Sequence, residues 1–202
     1  MDVTAKDLPV VETITLSHCI QSFSDIIKST MITTRQQECI TTDLGMKEIL
    51  MHLDQCRVKK GTVYIVGNGG SAAIASHAVI DFINMDKMRA TAMLDAAVTT
   101  CISNDYGYEQ VYAKQLMQCI DGKDVLIAMS SSGQSKNIMN AVSVATSKNA
   151  KVFTLSGFLT DNPLRKMGDY NLWLNSKDYG QVEIGHAFIL HYLTDRLRDM
   201  LT

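Results

Sequence analysis

TVYIVGNGGSAAIASHAVID, residues Thr62–Asp81, passes from a strand pattern to a helix pattern in one step. Val63 to Val66 is a short apolar run with β-branched and aromatic residues, bounded by glycine, which reads as a buried strand. Gly67, Asn68, Gly69 and Gly70 follow directly, and glycine lets a backbone turn sharply and approach a ligand closely. Ser71 stands where a helix begins, and Ala72 to Met85 carries helix-compatible apolar spacing. A strand, a glycine loop and a helix N-terminus together offer free N–H groups and the positive end of a dipole to an anion. A tight strand-to-helix turn needs glycine in any case. This stretch alone therefore leaves anion binding and plain turn chemistry both open.

A second junction of the same kind lies downstream. Asp124 to Met129, DVLIAM, reads as another buried strand and runs into Ser130-Ser131-Ser132-Gly133-Gln134-Ser135. A helix is expected over Lys136 to Ser147. Hydroxyls and backbone N–H groups converge at such a loop and suit phosphate oxygens. Two such loops on one chain favour a phosphate-bearing ligand over coincidence.

The rest of the chain alternates. Arg89 to Met93 is a short strand and Asp95 to Ser103 a helix. Asn104 to Glu109, NDYGYE, is a turn-rich cluster. A helix with Val111, Leu116 and Cys119 on one side ends at Asp121-Gly122. Strands are expected at Lys151–Leu155 and Tyr170–Leu174, and a final helix from about Gln181 to Met200 with a ridge of Ile189, Leu193, Leu197 and Leu201. Alternation of this kind implies an α/β fold with a doubly wound, largely parallel sheet. Ligands in such folds sit beyond the carboxyl ends of the strands, where both polar loops fall.

Upstream, residues 1–12 read as an irregular lead-in. Leu16, Cys19, Ile20, Phe23, Ile26, Ile27 and Met31 recur at helical spacing. Thr33 and Thr34 break that pattern, and a second helix presents Leu44, Ile49, Leu50 and Leu53. His18 and His52 lie on these helices and read as structural or solvated. The chain thus reads as a single domain, with residues 1–58 a helical extension and 59–202 the α/β core.

Composition narrows the partners. The net charge is −2 without long runs of one sign, which argues against nucleic acid and against a membrane surface. Nothing approaches the roughly 18 apolar residues of a membrane span. MDVTAKDLPVVET lacks the apolar segment of a signal peptide. Cys19, Cys39, Cys56, Cys101 and Cys119 are odd in number and widely spaced, and read as reduced, mostly buried thiols of a cytoplasmic protein.

Together, GNGGSAA at Gly67–Ala73, His77, NDYGYE at Asn104–Glu109, SSSGQS at Ser130–Ser135 and His191 resemble the sugar isomerase (SIS) domain family, and within it the phosphoheptose isomerases. The likeness spans roughly Lys60 to Leu197. It implies a flavodoxin-like fold in a homotetramer with active sites between subunits. The reaction it implies is isomerisation of sedoheptulose 7-phosphate to an aldoheptose 7-phosphate through an enediol, in bacterial heptose synthesis. By position, Ser71, Ser130, Ser131, Ser132 and Ser135 correspond to a phosphate cradle, with Gly69 and Gly70 in the glycine loop. Asn68 and Asp105 correspond to substrate contacts.

The resemblance also implies a zinc ion. The family carries His-x-x-x-Glu on the first core helix, and Gln followed eight residues later by His on the last. This chain has His77 with Asp81, and Glu183 with His191. The implied ligand set is therefore His77, Asp81, Glu183 and His191, with His186 left out. Asp81 is one methylene shorter than the family glutamate that is a candidate general base. The expectation is that Asp81 or Glu183 acts as base and His191 as acid, with Glu183 taking the base role that Asp81 is too short to fill. An isomerase of a different sugar phosphate, or a non-catalytic SIS protein that binds a protein partner, are the competing readings.

Overall fold

The computed structural model describes residues 15–200. Seven strands form one sheet: β1 (Met31–Thr34), β2 (Cys39–Ile40), β3 (Thr62–Val66), β4 (Arg89–Thr91), β5 (Val125–Ser130), β6 (Lys151–Ser156) and β7 (Tyr170–Trp173), in the order β2-β1-β7-β6-β5-β3-β4. The five strands from β7 to β4 are parallel, while β1 pairs antiparallel with both β7 and β2. Helices α1 (Leu16–Lys28), α2 (Thr42–Val58), α3 (Gly70–Asn84), α4 (Ala96–Tyr106), α5 (Ala113–Cys119), α6 (Lys136–Ser147) and α7 (Tyr179–Asp199) surround it.

The central strands are buried on both faces, as a parallel sheet covered by helices requires. In β5 the side chains alternate between two cores. Val125, Ile127 and Met129 join Ile49 and Leu53 of α2, Phe82 of α3 and Leu193 of α7. Leu126 and Ala128 join Leu116 of α5 and Ile138 and Val142 of α6. The chain leaves β3 outward to β4 and leaves β5 in the opposite direction toward β6 and β7. The carboxyl ends of β3 and β5 are therefore the switch point at which doubly wound sheets open a crevice.

One element departs from the sequence reading. The segment read as a threonine-rich break is the β1–β2 hairpin, and Met31, placed on the first helix by its spacing, opens β1. Ile32, Thr33 and Thr34 are β-branched and favour a strand, and the turn between the two strands contains Gln37 at φ 65°. Asn171 of β7 fastens the hairpin: its Nδ2 donates to the Thr33 carbonyl (3.2 Å), and its Oδ1 accepts from Thr154 Oγ1 (2.8 Å).

Smaller differences concern boundaries. Helix α4 runs through Asn104–Tyr106 to end at Gly107 (φ 87°), so half of the NDYGYE cluster is helical. Helix α7 begins at Tyr179, capped by the Asp178 carboxylate. The thiols are free as expected, yet only Cys56 is buried. The lead-in at 1–12 and Leu201 of the expected ridge lie outside the described residues. No helix among the described residues is long and apolar enough to cross a membrane.

Candidate active site at the switch point

The glycine loop is shaped by what surrounds it. Gly69 caps α3 at φ 54° and ψ −122°, a backbone that L side chains rarely adopt. At Gly70 a Cβ would collide with the Glu183 carboxylate, so the second turn of α7 closes that carboxylate over the first turn of α3. Ser71 is buried beneath them.

The serine loop is braced from below. Gly133 sits at φ 65°, where a Cβ would meet Asn162 Oδ1 at 1.9 Å. The Leu164 amide donates to the Gly133 carbonyl (3.1 Å), and Asn162 Nδ2 donates to the Leu159 carbonyl (2.8 Å). Ser130 Oγ bonds Ser135 Oγ at 3.1 Å, joining the two ends of the loop. The two loops enclose a cleft of about 160 Å³ lined by Asn68, Ser71, Ser130, Ser131, Ser132 and Ser135, with Tyr179 and Glu183 on the α7 side. The N-termini of α3 and α6 both end here, so two sets of uncommitted N–H groups face the same space. The structure thus brings Asn68, Ser71, Ser130, Ser131, Ser132 and Ser135 to one cleft. Asp105 is not part of it: its Oδ1 accepts from Asn104 Nδ2 (2.9 Å) on the exposed α4.

Helices α3 and α7 pack side by side from this cleft onward, and further along they bring together three more of the expected residues. Asp81 Oδ2 lies 3.5 Å from His77 Nε2 and 3.3 Å from His191 Nδ1. The two imidazoles meet edge to face with centroids 5.1 Å apart. One donor atom from each of the three residues lies within 4.8 Å of the others. Ala73, Ala78, Ala187 and Leu190 wall the surrounding cleft of about 200 Å³ with apolar surface. The arrangement satisfies a carboxylate shared by two imidazoles, and equally offers three converging donors of the type that divalent ions use.

The expected four-ligand set is not assembled. Glu183 stands apart from the three, in the serine cleft. It shares a helix face with His191, yet eight residues of helix span roughly 12 Å along the axis, beyond the reach of one side chain toward the other's level. His186 is fully buried against the end of β6, its Nε2 3.4 Å from the Ser156 carbonyl, and burial pushes its pKa down to about 4.

The roles of Asn137, Tyr108 and Tyr112 around the cleft went unread in the sequence. Asn68 and Asn137 pair their carboxamides face to face: Asn68 Nδ2 donates to Asn137 Oδ1 (3.0 Å), and Asn137 Nδ2 donates to Asn68 Oδ1 (2.8 Å). Tyr108 Oη also donates to Asn68 Oδ1 (3.0 Å). Tyr112 Oη donates to the Gly67 carbonyl, and burial, with the nearby Tyr108, pushes its pKa up to about 12 so that it remains a donor. The only advance signal was position, since Tyr108 belongs to NDYGYE and Asn137 follows SSSGQS by two residues.

Two anion-receptive loops at a strand reversal define a ligand-binding α/β domain of the doubly wound class. The chain belongs to the SIS domain family, whose profile matches residues 28–157. Among curated relatives, phosphoheptose isomerase 1 of Campylobacter jejuni subsp. jejuni serotype O:2 is 36% identical over 147 residues, covering 70% of this chain and 78% of that protein. Among solved structures, a phosphoheptose isomerase from Neisseria gonorrhoeae superposes with a TM-score of 0.74 at 27% identity, covering 91% of this chain and 99% of its own. One from Francisella tularensis gives 0.77 at 26% identity, covering 89% and 92%.

Proposed function

We propose that this protein is a phosphoheptose isomerase that interconverts sedoheptulose 7-phosphate and an aldoheptose 7-phosphate by moving a proton between C1 and C2 through an enediol, in bacterial heptose synthesis. The observation that carries this reading is the placement of two chemistries along one helix pair. The serine cleft sits at the start of α3 and α7, and the His77–Asp81–His191 cluster sits further along the same helices. From Ser71 to His77 the axis advances roughly 9 Å. A phosphate anchored at one end leaves a long open-chain sugar extending toward the other, and fixing both ends is how orientation is converted into rate.

In this reading Ser71 and the serines of the second loop hold the phosphate, aided by the N–H groups of α3 and α6. Asp81 is the base at the C1–C2 end, held by two imidazoles, and His191 protonates the developing alkoxide. Glu183, in the cleft rather than the cluster, takes a binding part toward the sugar chain. His77, Asp81 and His191 are the residues that would hold a divalent ion, most naturally zinc given imidazole and carboxylate donors. Such an ion supplies Lewis-acid polarisation of the sugar's oxygens. Exposed Ile80 on α3 and Ile184 and Phe188 on α7 support a homotetramer with the sites between subunits. A cytoplasmic location accords with a phosphorylated substrate.

Incubation with sedoheptulose 7-phosphate in D₂O, followed by NMR, tests the reaction. Deuterium at C1 or C2 together with an aldoheptose product is expected. Folded protein that binds the sugar phosphate yet shows neither exchange nor product would refute the isomerase reading.

A further inference from the structure

Asn68 carries two donors and two acceptor lone pairs on its carboxamide. Three of these four are committed within the protein. Oδ1 accepts from Asn137 Nδ2 (2.8 Å) and from Tyr108 Oη (3.0 Å), and Nδ2 donates once to Asn137 Oδ1 (3.0 Å). The paired amides fix the plane of the group, and the Tyr108 hydroxyl, as a donor, holds oxygen at the end it meets. Asn137 is buried on the first turn of α6, and Tyr112 clasps the adjoining Gly67 carbonyl, so the whole unit is anchored to two different elements. What remains of Asn68 is one N–H, on a residue that lines the serine cleft.

We propose that Tyr108 and Asn137 are positioning residues that lock the Asn68 carboxamide, so that its one uncommitted N–H donates to an acceptor oxygen of the bound sugar phosphate. This rests on the isomerase reading. A carboxamide free to turn about χ2 offers oxygen or nitrogen to the cleft, and an oxygen there repels a phosphate or hydroxyl lone pair. Locking it removes that wrong face before the ligand arrives, which is preorganisation. Neither Tyr108 nor Asn137 lines the cleft. Tyr108 is half exposed, so losing its hydroxyl leaves the core intact.

The test is a double-mutant cycle with steady-state kinetics on sedoheptulose 7-phosphate. Tyr108→Phe is expected to raise KM roughly three- to tenfold, the scale of one hydrogen bond, with kcat changed less than about twofold and the melting temperature unmoved. Asn68→Ala alone is expected to raise KM at least as much. Tyr108→Phe added to Asn68→Ala is expected to change nothing further, because the hydroxyl acts only through Asn68. Tyr106→Phe, two residues away with its ring against Lys114, serves as the control and is expected to match the parent. Parent-like kinetics in Tyr108→Phe overturn the proposal. So does a full additive penalty in the Asn68→Ala background, or a KM change that tracks a fall in melting temperature. A parent protein inactive on the sugar overturns the isomerase reading itself, and is separate from each of these outcomes.

Discussion

Asp86 supplies the sharpest stability prediction. It lies two residues beyond α3, fully buried, with no hydrogen-bond partner for either carboxylate oxygen. The negative end of the α3 dipole adds to the difficulty of ionising there. Burial pushes its pKa up from 3.8 to about 7 despite the pull of Arg57 and Arg198. Arg57 is already engaged by the Asp54 carboxylate and the Leu197 carbonyl. Because the folded-state pKa is raised, the folded protein keeps a proton that the unfolded chain releases above about pH 4. The contribution is therefore full below about pH 4 and is lost as pH rises to about 7, at roughly 1.4 kcal/mol per unit, for a ceiling of about 4 kcal/mol. Asp86→Asn keeps the shape and removes the titration. Urea unfolding at intervals from pH 4 to 8 should show parent stability falling relative to the variant by up to that amount. His52 and His186, whose pKa values burial lowers, lose stability in the opposite direction, as pH falls below 6.5. They are common to both proteins and cancel in the difference. A difference flat to within about 1 kcal/mol would mean that Asp86 is ionised and solvated in the folded state, and the burial argument would fail.

Gly133→Ala forces a Cβ into Asn162 and holds alanine at a left-handed φ; a stability loss of about 1–2 kcal/mol from the backbone alone is expected, with weaker phosphate binding, both readable by melting with and without inorganic phosphate. Glu183→Gln removes a negative charge from the phosphate cleft. Inorganic phosphate should then inhibit more strongly, by roughly 0.5–1 kcal/mol, with turnover held within about tenfold. A drop in turnover beyond about a hundredfold would return the base role from Asp81 to Glu183. His77→Ala removes one of the three converging donors, so equilibrium dialysis against zinc should show affinity falling by at least an order of magnitude; unchanged binding would place any ion elsewhere.

The parallel core was legible because its signals are local. Val63–Val66 and Val125–Met129 are uninterrupted apolar runs between polar loops, and each is a central strand. The β1–β2 hairpin was not, because its residues alternate weakly and its existence depends on β7, some 140 positions away, offering an open edge and Asn171. The convergence of the two loops was readable from their serine and glycine types and their place after buried strands. The axial separation of Glu183 from His191 follows from eight residues of helix, but what each meets was not legible, since spacing says nothing of the facing element. Glu183 found Gly70, where only glycine leaves room for it. The amide pair of Asn68 and Asn137 joins two motifs 69 positions apart, a contact that only the strand order β5–β3 creates.

The hairpin also decides how the sheet ends. Its outer strand is two residues long, so that side of the molecule shows almost no backbone for a foreign strand to read. Trimming the chain up to Thr41 would strip away this cover and expose the ladder groups of β7, with its apolar Leu172 and Trp173, as a template for intermolecular pairing. The segment thus acts as a guard against self-aggregation. A shortened version retaining every residue of the cleft would be expected to precipitate before its catalysis could be compared.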